Sequence, residues 1–229
     1  MAACGSGADD HPTTRVPVRS AGVPSTKGAP VPDTSGYEPY AWLNIDVNDP
    51  DWIFTEGLLF TFVLGLSPAE VAERLDLPVQ HLDLTNQQDP LRYFVIDGKA
   101  VLDAGGGWTV LYEDNSIPED SSHVLAHDPA ADKVVSVFTN VNSVMEFAYW
   151  QRGDLVVRFE FPDERGGHRP DALLDEMRAT TGVHIDDYER AMSDGSYLAR
   201  MMTLAHRVTS VHLGPDFLRR PLLGVPPEN

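Results

Sequence analysis

Residues 144–161 read VMEFAYWQRGDLVVRFEF, and two runs rich in β-branched and aromatic residues there flank Gln151-Arg152-Gly153. A glycine in third place suits a three-residue hairpin loop, a type I turn closed by a left-handed residue. That loop predicts Tyr149 opposite Leu155, Phe147 opposite Val157 and Met145 opposite Phe159, so that one face is apolar throughout. On the other face Glu146 is expected opposite Arg158, a favourable cross-strand pair, and Ala148 opposite Val156. A one-residue slip would turn every side chain to the wrong face. The competing reading is a helix capped by Ser143, with Glu146 closing a capping box. Phe147, Tyr149 and Trp150 make no clean helical stripe, so the hairpin ranks first.

The segments around the hairpin supply a sheet for it to join. KVVSVFT at 133–139 reads as a strand, with Asn140 and Asn142 turning the chain toward residue 144. LLFTFVL at 58–64 is a short, almost wholly apolar strand and is placed centrally in the sheet. Residues 93–96 and 108–112 read as further strands, separated by Asp97-Gly98 and by Gly105-Gly106-Gly107. A glycine run can cradle phosphate when it opens a helix. This one leads into WTVLYED, which alternates as a strand and has no Lys-Ser/Thr after it, so a hairpin turn is expected.

A few helices are expected to pack against these strands. Ser67 can cap, Pro68 takes the first helical position and Glu70 completes a capping box. Val71, Ala72 and Leu75 then cover the sheet until Pro78, and 81–90 is a polar connection. Helices are also expected over 170–182, with Leu173, Leu174, Met177 and Ala179 as a buried stripe, and over 186–192. In the last one, 196–209, Leu198, Met201, Met202, Ala205 and Val208 recur at helical spacing, the methionines as core filler. The terminal FLRRPLLGVPPEN carries an apolar patch beside Arg219-Arg220 that either packs back or projects.

The architecture expected is a single α+β domain over 37–225, a mainly antiparallel sheet packed against a few helices. Residues 1–36 are expected to form a disordered leader, with proline at 12, 17, 24, 30 and 32 among Gly, Ser, Thr and Ala. Folding should begin near Tyr37, Tyr40 and Trp42.

At 229 residues and 42% hydrophobic composition, the chain can bury a real core. Against 35 acidic residues stand 17 basic ones, a formal charge of -18. Such a surface repels nucleic acid and anionic membrane, and favours solubility or a basic protein partner. Cys4, the sole cysteine, can form no intramolecular disulfide and no thiolate metal cluster. No stretch approaches a membrane span, and a cytoplasmic location is the default expectation.

Three places invite a chemical reading. Asp46, Asp49 and Asp51 crowd one turn but lack the ligand spacing and terminal glutamate of a calcium loop. His123 and His127 have metal-ligand spacing only on a helix. Ser121-Ser122 before them and Asp128-Pro129 after them leave little room for one, so no metal and no cofactor is expected. The loop PDERGGHRPD at 162–171 gathers Asp163, Glu164, Arg165, His168, Arg169 and Asp171 around two glycines; a solvated loop of mutually satisfied charges is the favoured reading.

FTFVLGLSPAEVAERL at 60–75, GGWTVLYEDN at 106–115 and VVSVFTNVNSVMEFAYWQRGDLVVRFEF at 134–161, with RGGHRPDALLDEM and the late LAHRVTSVHLGPDFL, resemble an uncharacterised actinobacterial family, one of the numbered domains of unknown function. The resemblance covers roughly residues 40–225. It implies no activity, substrate or catalytic residue. Members commonly read Thr-Gly at the exit of the last helix, where this chain has Thr209-Ser210.

Two function classes follow, with a third behind them. The first is a non-enzymatic interaction module, in concrete form an immunity-type protein whose acidic surface covers a basic cleft. The alternative is a small-molecule hydrolase with acid–base residues near Glu113 and in the 163–171 loop (Asp163, Glu164, His168) and Ser193 or Ser196 as nucleophile. No nucleophile elbow, zincin pattern or dinucleotide loop accompanies those residues. A structural domain without a catalytic site is the third. Sheet edges would permit a homodimer, and a monomer fits equally well.

Overall fold

The hairpin forms, with a tighter turn than expected. The computed structural model describes residues 38–43, 57–88, 90–94, 98–117, 121–140, 142, 144–161, 164–173 and 196–225. Strands β6 (Met145–Gln151) and β7 (Asp154–Phe161) pair antiparallel, with Gln151 opposite Asp154. The loop is therefore the two residues Arg152 and Gly153, at φ 52° and 85°. Two successive positive φ values match the primed turn whose twist suits flanking strands. Arg152 as well as Gly153 takes up left-handed backbone, and that shifts the register. Phe147 faces Phe159 rather than Val157, Tyr149 faces Val157 rather than Leu155, and Met145 faces Phe161. An irregularity between Tyr149 and Trp150 absorbs Val156, since Trp150 faces Leu155. The net shift is two residues, so Val157 and Phe159 keep their expected face, while Leu155, before the irregularity, turns to the Trp150 face. Glu146 now faces Glu160, and Arg158 bridges the two carboxylates at 2.6 and 2.7 Å.

Seven more strands complete the sheet: β1 (Gly57–Leu64), β2 (Gln80–Leu82), β3 (Lys99–Gly105), β4 (Trp108–Asp114), β5 (Lys133–Asn140), β8 (Glu164–Gly166) and β9 (Leu222–Val225). The order is β2-β9-β3-β4-β1-β5-β6-β7-β8, and every pairing is antiparallel. β1 lies at the centre, buried along nearly its whole length, as its unbroken apolar run requires. Gly106 and Gly107, both at positive φ, turn β3 into β4. Of the strand expected at 93–96, the described residues Tyr93 and Phe94 lie instead in a 3₁₀ turn, Leu91–Phe94, followed by Gly98 N–H on the Phe94 carbonyl. The strand in that region is β3, hidden in the sequence between glycines. The 81–90 connection begins in β2, and the terminal apolar patch packs back as β9.

Both sheet faces are covered. On one, Phe60, Tyr112, Val137, Phe147 and Phe159 pack with Leu198, Met201, Met202 and Ala205 of helix α3 (Tyr197–Thr209) and with Phe217. The methionines are core filler, as the spacing implies. On the other face Val63, Leu111, Val134, Ala148 and Trp150 meet Val71 of α1 (Pro68–Arg74) and Leu125 and Ala126 of α2 (Ser121–Ala126). The expected capping box opens α1: Ser67 and Glu70 satisfy each other's backbone N–H. Helix α2 is a correction. Ser121-Ser122 and Asp128-Pro129 bound a short helix instead of preventing one, and its two buried apolar residues hold it to the sheet. The fold is a single α+β domain with one antiparallel sheet of nine strands and three α-helices among the described residues. Residues 170–173, where the 170–182 helix is expected to begin, form a turn; the leader, residues 44–56, the rest of that helix and the 186–192 helix lie outside the described residues.

Candidate functional site

Glu113 is the best enclosed of the chemical candidates. It lies on β4 beside Leu59 of β1, on the face that α1 and α2 cover, and has no solvent exposure. One carboxylate oxygen accepts from Lys99 Nζ across the β3–β4 ladder and from Ser121 Oγ of α2 at 2.8 Å. Its other oxygen, Oε2, meets no partner in the described structure. Thr61 and Ser136, directly opposite each other on β1 and β5, also bury unpaired hydroxyls on this face. A carboxylate sealed this way is braced by a cation and a hydroxyl, as buried charge requires.

The remaining candidates do not gather around it. Asp163 and Ser193 lie outside the described residues. Glu164 sits on edge strand β8, its backbone opposite Glu160. His168 is exposed beyond that strand, and its Nδ1 donates to the Leu155 carbonyl at 2.8 Å. Gly167 lets the chain pass there: its φ is 93°, and a Cβ would lie 2.6 Å from the Val156 carbonyl oxygen. Arg165 and Asp171 pair across the loop at 3.6 Å. Ser196 is buried and accepts from Arg200 Nε at 2.7 Å, a structural use of its hydroxyl. In the sheet order β4 and β8 stand five steps apart, about 24 Å at normal strand spacing. Glu113 and the described loop residues 164–171 are therefore set too far apart along the sheet to serve one small substrate.

Two surface clefts were invisible in the sequence, because each joins segments far apart along it. One, of about 410 Å³, lies between the start of α1 and the β3–β4 hairpin, with Glu70, Asp103 and Trp108 in its lining. Glu70 and Asp103 are exposed in that lining, and Glu73 and Asp76, further along the chain from Glu70, are exposed too. Its hydrogen bonds from Ser67 hold the Glu70 carboxyl below its ordinary range, so the group stays charged. The other cleft, of about 490 Å³, lies between residues 127–132 and the β6–β7 turn, where Arg152 pairs with Asp132 at 2.8 Å.

A third grouping joins chain segments at the domain's margin. Tyr40 packs against His206 and His212, with ring centroids 6.0 and 5.5 Å away, and the two imidazoles are 5.3 Å apart. Burial pushes the Tyr40 hydroxyl up to about 12, opposed by the hydrogen bond it accepts from Leu213 N–H. Burial first, then the neighbouring His212 and Arg207, holds His206 below the ordinary imidazole range. No described helix is long and apolar enough to cross a membrane.

A family model described as a family of unknown function (DUF6461) matches residues 34–222. No curated protein matches the chain, and no solved structure does.

Proposed function

The chain belongs to this family of unknown function, and we propose that it works as a non-enzymatic, acidic protein-binding module for a basic protein partner. An immunity-type protein, which covers the basic cleft of another protein, is the concrete form. The observation that carries the reading is a contrast. Glu113, the strongest catalytic candidate, is sealed in the sheet and braced by Lys99 and Ser121. Glu70 and Asp103 instead line an open cleft between α1 and the β3–β4 hairpin, and Glu73 on α1 and Asp76 just after it are exposed as well. Of the nearby cations, Arg74 is already paired with Glu73 and Asp128. A chain of net charge -18 adds long-range attraction for a basic surface.

The test is capture from the native host by the intact chain and by a triple variant, Glu73→Gln, Asp76→Asn and Asp103→Asn. The Asn at 103 keeps the acceptor used by Gly105 N–H, and Asn suits the left-handed backbone of residue 76. A basic protein held by the intact chain, released by moderate salt and lost by the variant is the expected result. Equal capture by both chains, or no basic protein held at all, would overturn the reading.

A hydrolase centred on Glu113 is the second reading. Its support is that Glu113 Oε2 has no partner in the described structure, with the unpaired Thr61 and Ser136 hydroxyls on the same face. Against it stand the complete enclosure of Glu113 and the scatter of the other candidates over separate elements.

A further inference from the structure

We infer that His123 and His127 form a solvent-open chelate for a late first-row divalent cation, copper(II), nickel(II) or zinc. The proposal is independent of the protein-binding reading. It starts from the sequence HVLAH, whose two histidines lie four residues apart. That spacing means nothing in a loop, but on a helix it puts both rings on one side. Residue 123 is within α2, and the helical ladder continues to residue 127, whose N–H donates to the His123 carbonyl at 3.3 Å.

Both rings are exposed, and their centroids are 6.1 Å apart. A metal bound to an imidazole nitrogen at the usual bond length sits about 3 Å from the ring centre, so two rings at this separation can meet on one ion after a small rotamer adjustment. His127 is already set for it. Its Nδ1 lies 2.8 Å from the His123 carbonyl, which can only accept, so in the neutral ring Nδ1 carries the proton and Nε2 the lone pair. An imidazole that ligates a metal ordinarily donates its other N–H in this way, to a carbonyl or carboxylate. His123 stands edge-on to Trp150, with ring centroids 5.7 Å apart, which limits where its ring can turn.

Imidazole donors select the late divalent ions of the first row, and two of them favour copper and nickel over calcium or magnesium. Asp128 and Asp132 line the adjoining cleft and lend negative potential, though Arg74 and Arg152 hold them. No third histidine, cysteine or carboxylate completes the set among the described residues. The remaining positions are therefore left to water or to a donor from another molecule, which makes the site exchangeable and open.

The experiment uses the full chain carrying Cys4→Ser, which removes the one thiolate that could compete. Nickel chloride is titrated by calorimetry, and copper chloride by quenching of tryptophan emission, to which Trp150 beside His123 should contribute. Binding of one equivalent is expected. His123→Gln and His127→Gln should each weaken it at least tenfold, and the double variant should lose both heat and quenching. His206→Gln with His212→Gln should leave it unchanged. Far-UV circular dichroism of each variant, and a nickel-induced rise in melting temperature seen only with both histidines present, separate loss of a ligand from loss of the fold. Unchanged binding in the double variant, or no binding by the Cys4→Ser chain, would overturn the proposal.

Discussion

Phe147 stacks on Phe159 across the β6–β7 ladder, with ring centroids 6.1 Å apart and planes 30° from parallel. Both rings are essentially without exposure, and they face the helix α3 side of the sheet. Phe147→Ala removes one ring from a packed layer and leaves its partner facing a void. The expected loss is about 3–5 kcal/mol, a large share of an ordinary domain's stability. Urea unfolding of the variant checks it; a loss below about 1 kcal/mol would mean that the pair does not anchor the core.

Glu146 gives a different kind of cost. Its side chain is only 5% exposed and is held by Arg158 at 2.6 Å, while Arg158 also holds Glu160. Glu146 lies directly opposite Glu160, so without the guanidinium between them two like charges would meet across the ladder. Glu146→Ala breaks a charged hydrogen bond in a mostly buried setting, for about 1.5–3 kcal/mol, more than an exposed pair would cost. Arg158→Ala should cost more, because both carboxylates lose the same partner. Near wild-type stability in both variants would show that the bridge contributes little.

The β6–β7 turn separates backbone strain from packing. Gly153 sits at φ 85°, and a Cβ there would only graze the Ala126 carbonyl at 3.9 Å, so space is not the constraint. Gly153→Val should still destabilise by about 1–2 kcal/mol, the cost of holding a side chain in left-handed backbone. Arg152→Asn should be neutral or stabilising. Asparagine favours the left-handed conformation that Arg152 adopts at φ 52°, and the ion pair lost, with Asp132, is largely exposed. Melting curves of the two variants should shift in opposite directions or differ by several degrees; equal losses would reject the turn assignment.

The parts of this fold that were legible in the sequence are those written locally. Ser67, Pro68 and Glu70 specify the start of α1 within four residues, and the apolar run of β1 marks a strand covered on both faces. β3 and β9 were not legible. Residues 222–225 pair with β2 and β3, and no local pattern in four residues beside a proline announces that. The hairpin's register turned on Arg152, a residue whose left-handed backbone is imposed by the strands and not by its own preference. Glu113 could be noticed as a carboxylate ending a buried strand, but its seal depends on Lys99 and Ser121 arriving from two other elements. The clefts and the Tyr40–His206–His212 grouping are likewise products of chain crossing, and spacing alone could not expose them.

His206 ties stability to pH. Its imidazole is held below the ordinary value in the folded chain, by burial first and then by His212 and Arg207. The unfolded chain, with an imidazole near the ordinary value of about 6.5, therefore binds more protons in the range just below that pH. This contribution to stability is fully present above about pH 6.5 and is lost as pH falls through the folded-state value. The melting temperature should drop between pH 7 and pH 5, and His206→Gln should flatten part of that drop. A profile with the same slope in both proteins would remove His206 as its source.

Ser210 ends helix α3 in left-handed backbone, at φ 60° and ψ 13°, with its N–H on the His206 carbonyl at 2.7 Å. A helix commonly places glycine at this position, because the left-handed region costs a residue with a Cβ roughly 1–2 kcal/mol. Ser210 is exposed, and the hydroxyl that stitches the helix exit belongs instead to Thr209, which donates to Ala205 and accepts from Val211 N–H. Nothing in that exit needs the serine side chain. Ser210→Gly relieves the backbone strain, while the greater freedom of glycine in the unfolded chain takes back part of the gain. The net expectation is a stabilisation of about 0.5–1 kcal/mol, read as a higher urea midpoint at unchanged slope. Ser210→Val is the opposing control, with a branched Cβ in the same backbone and an expected loss of at least that size. If glycine proved no more stable than serine while valine was well tolerated, residue 210 would not be strained, and the left-handed exit of α3 would be wrong.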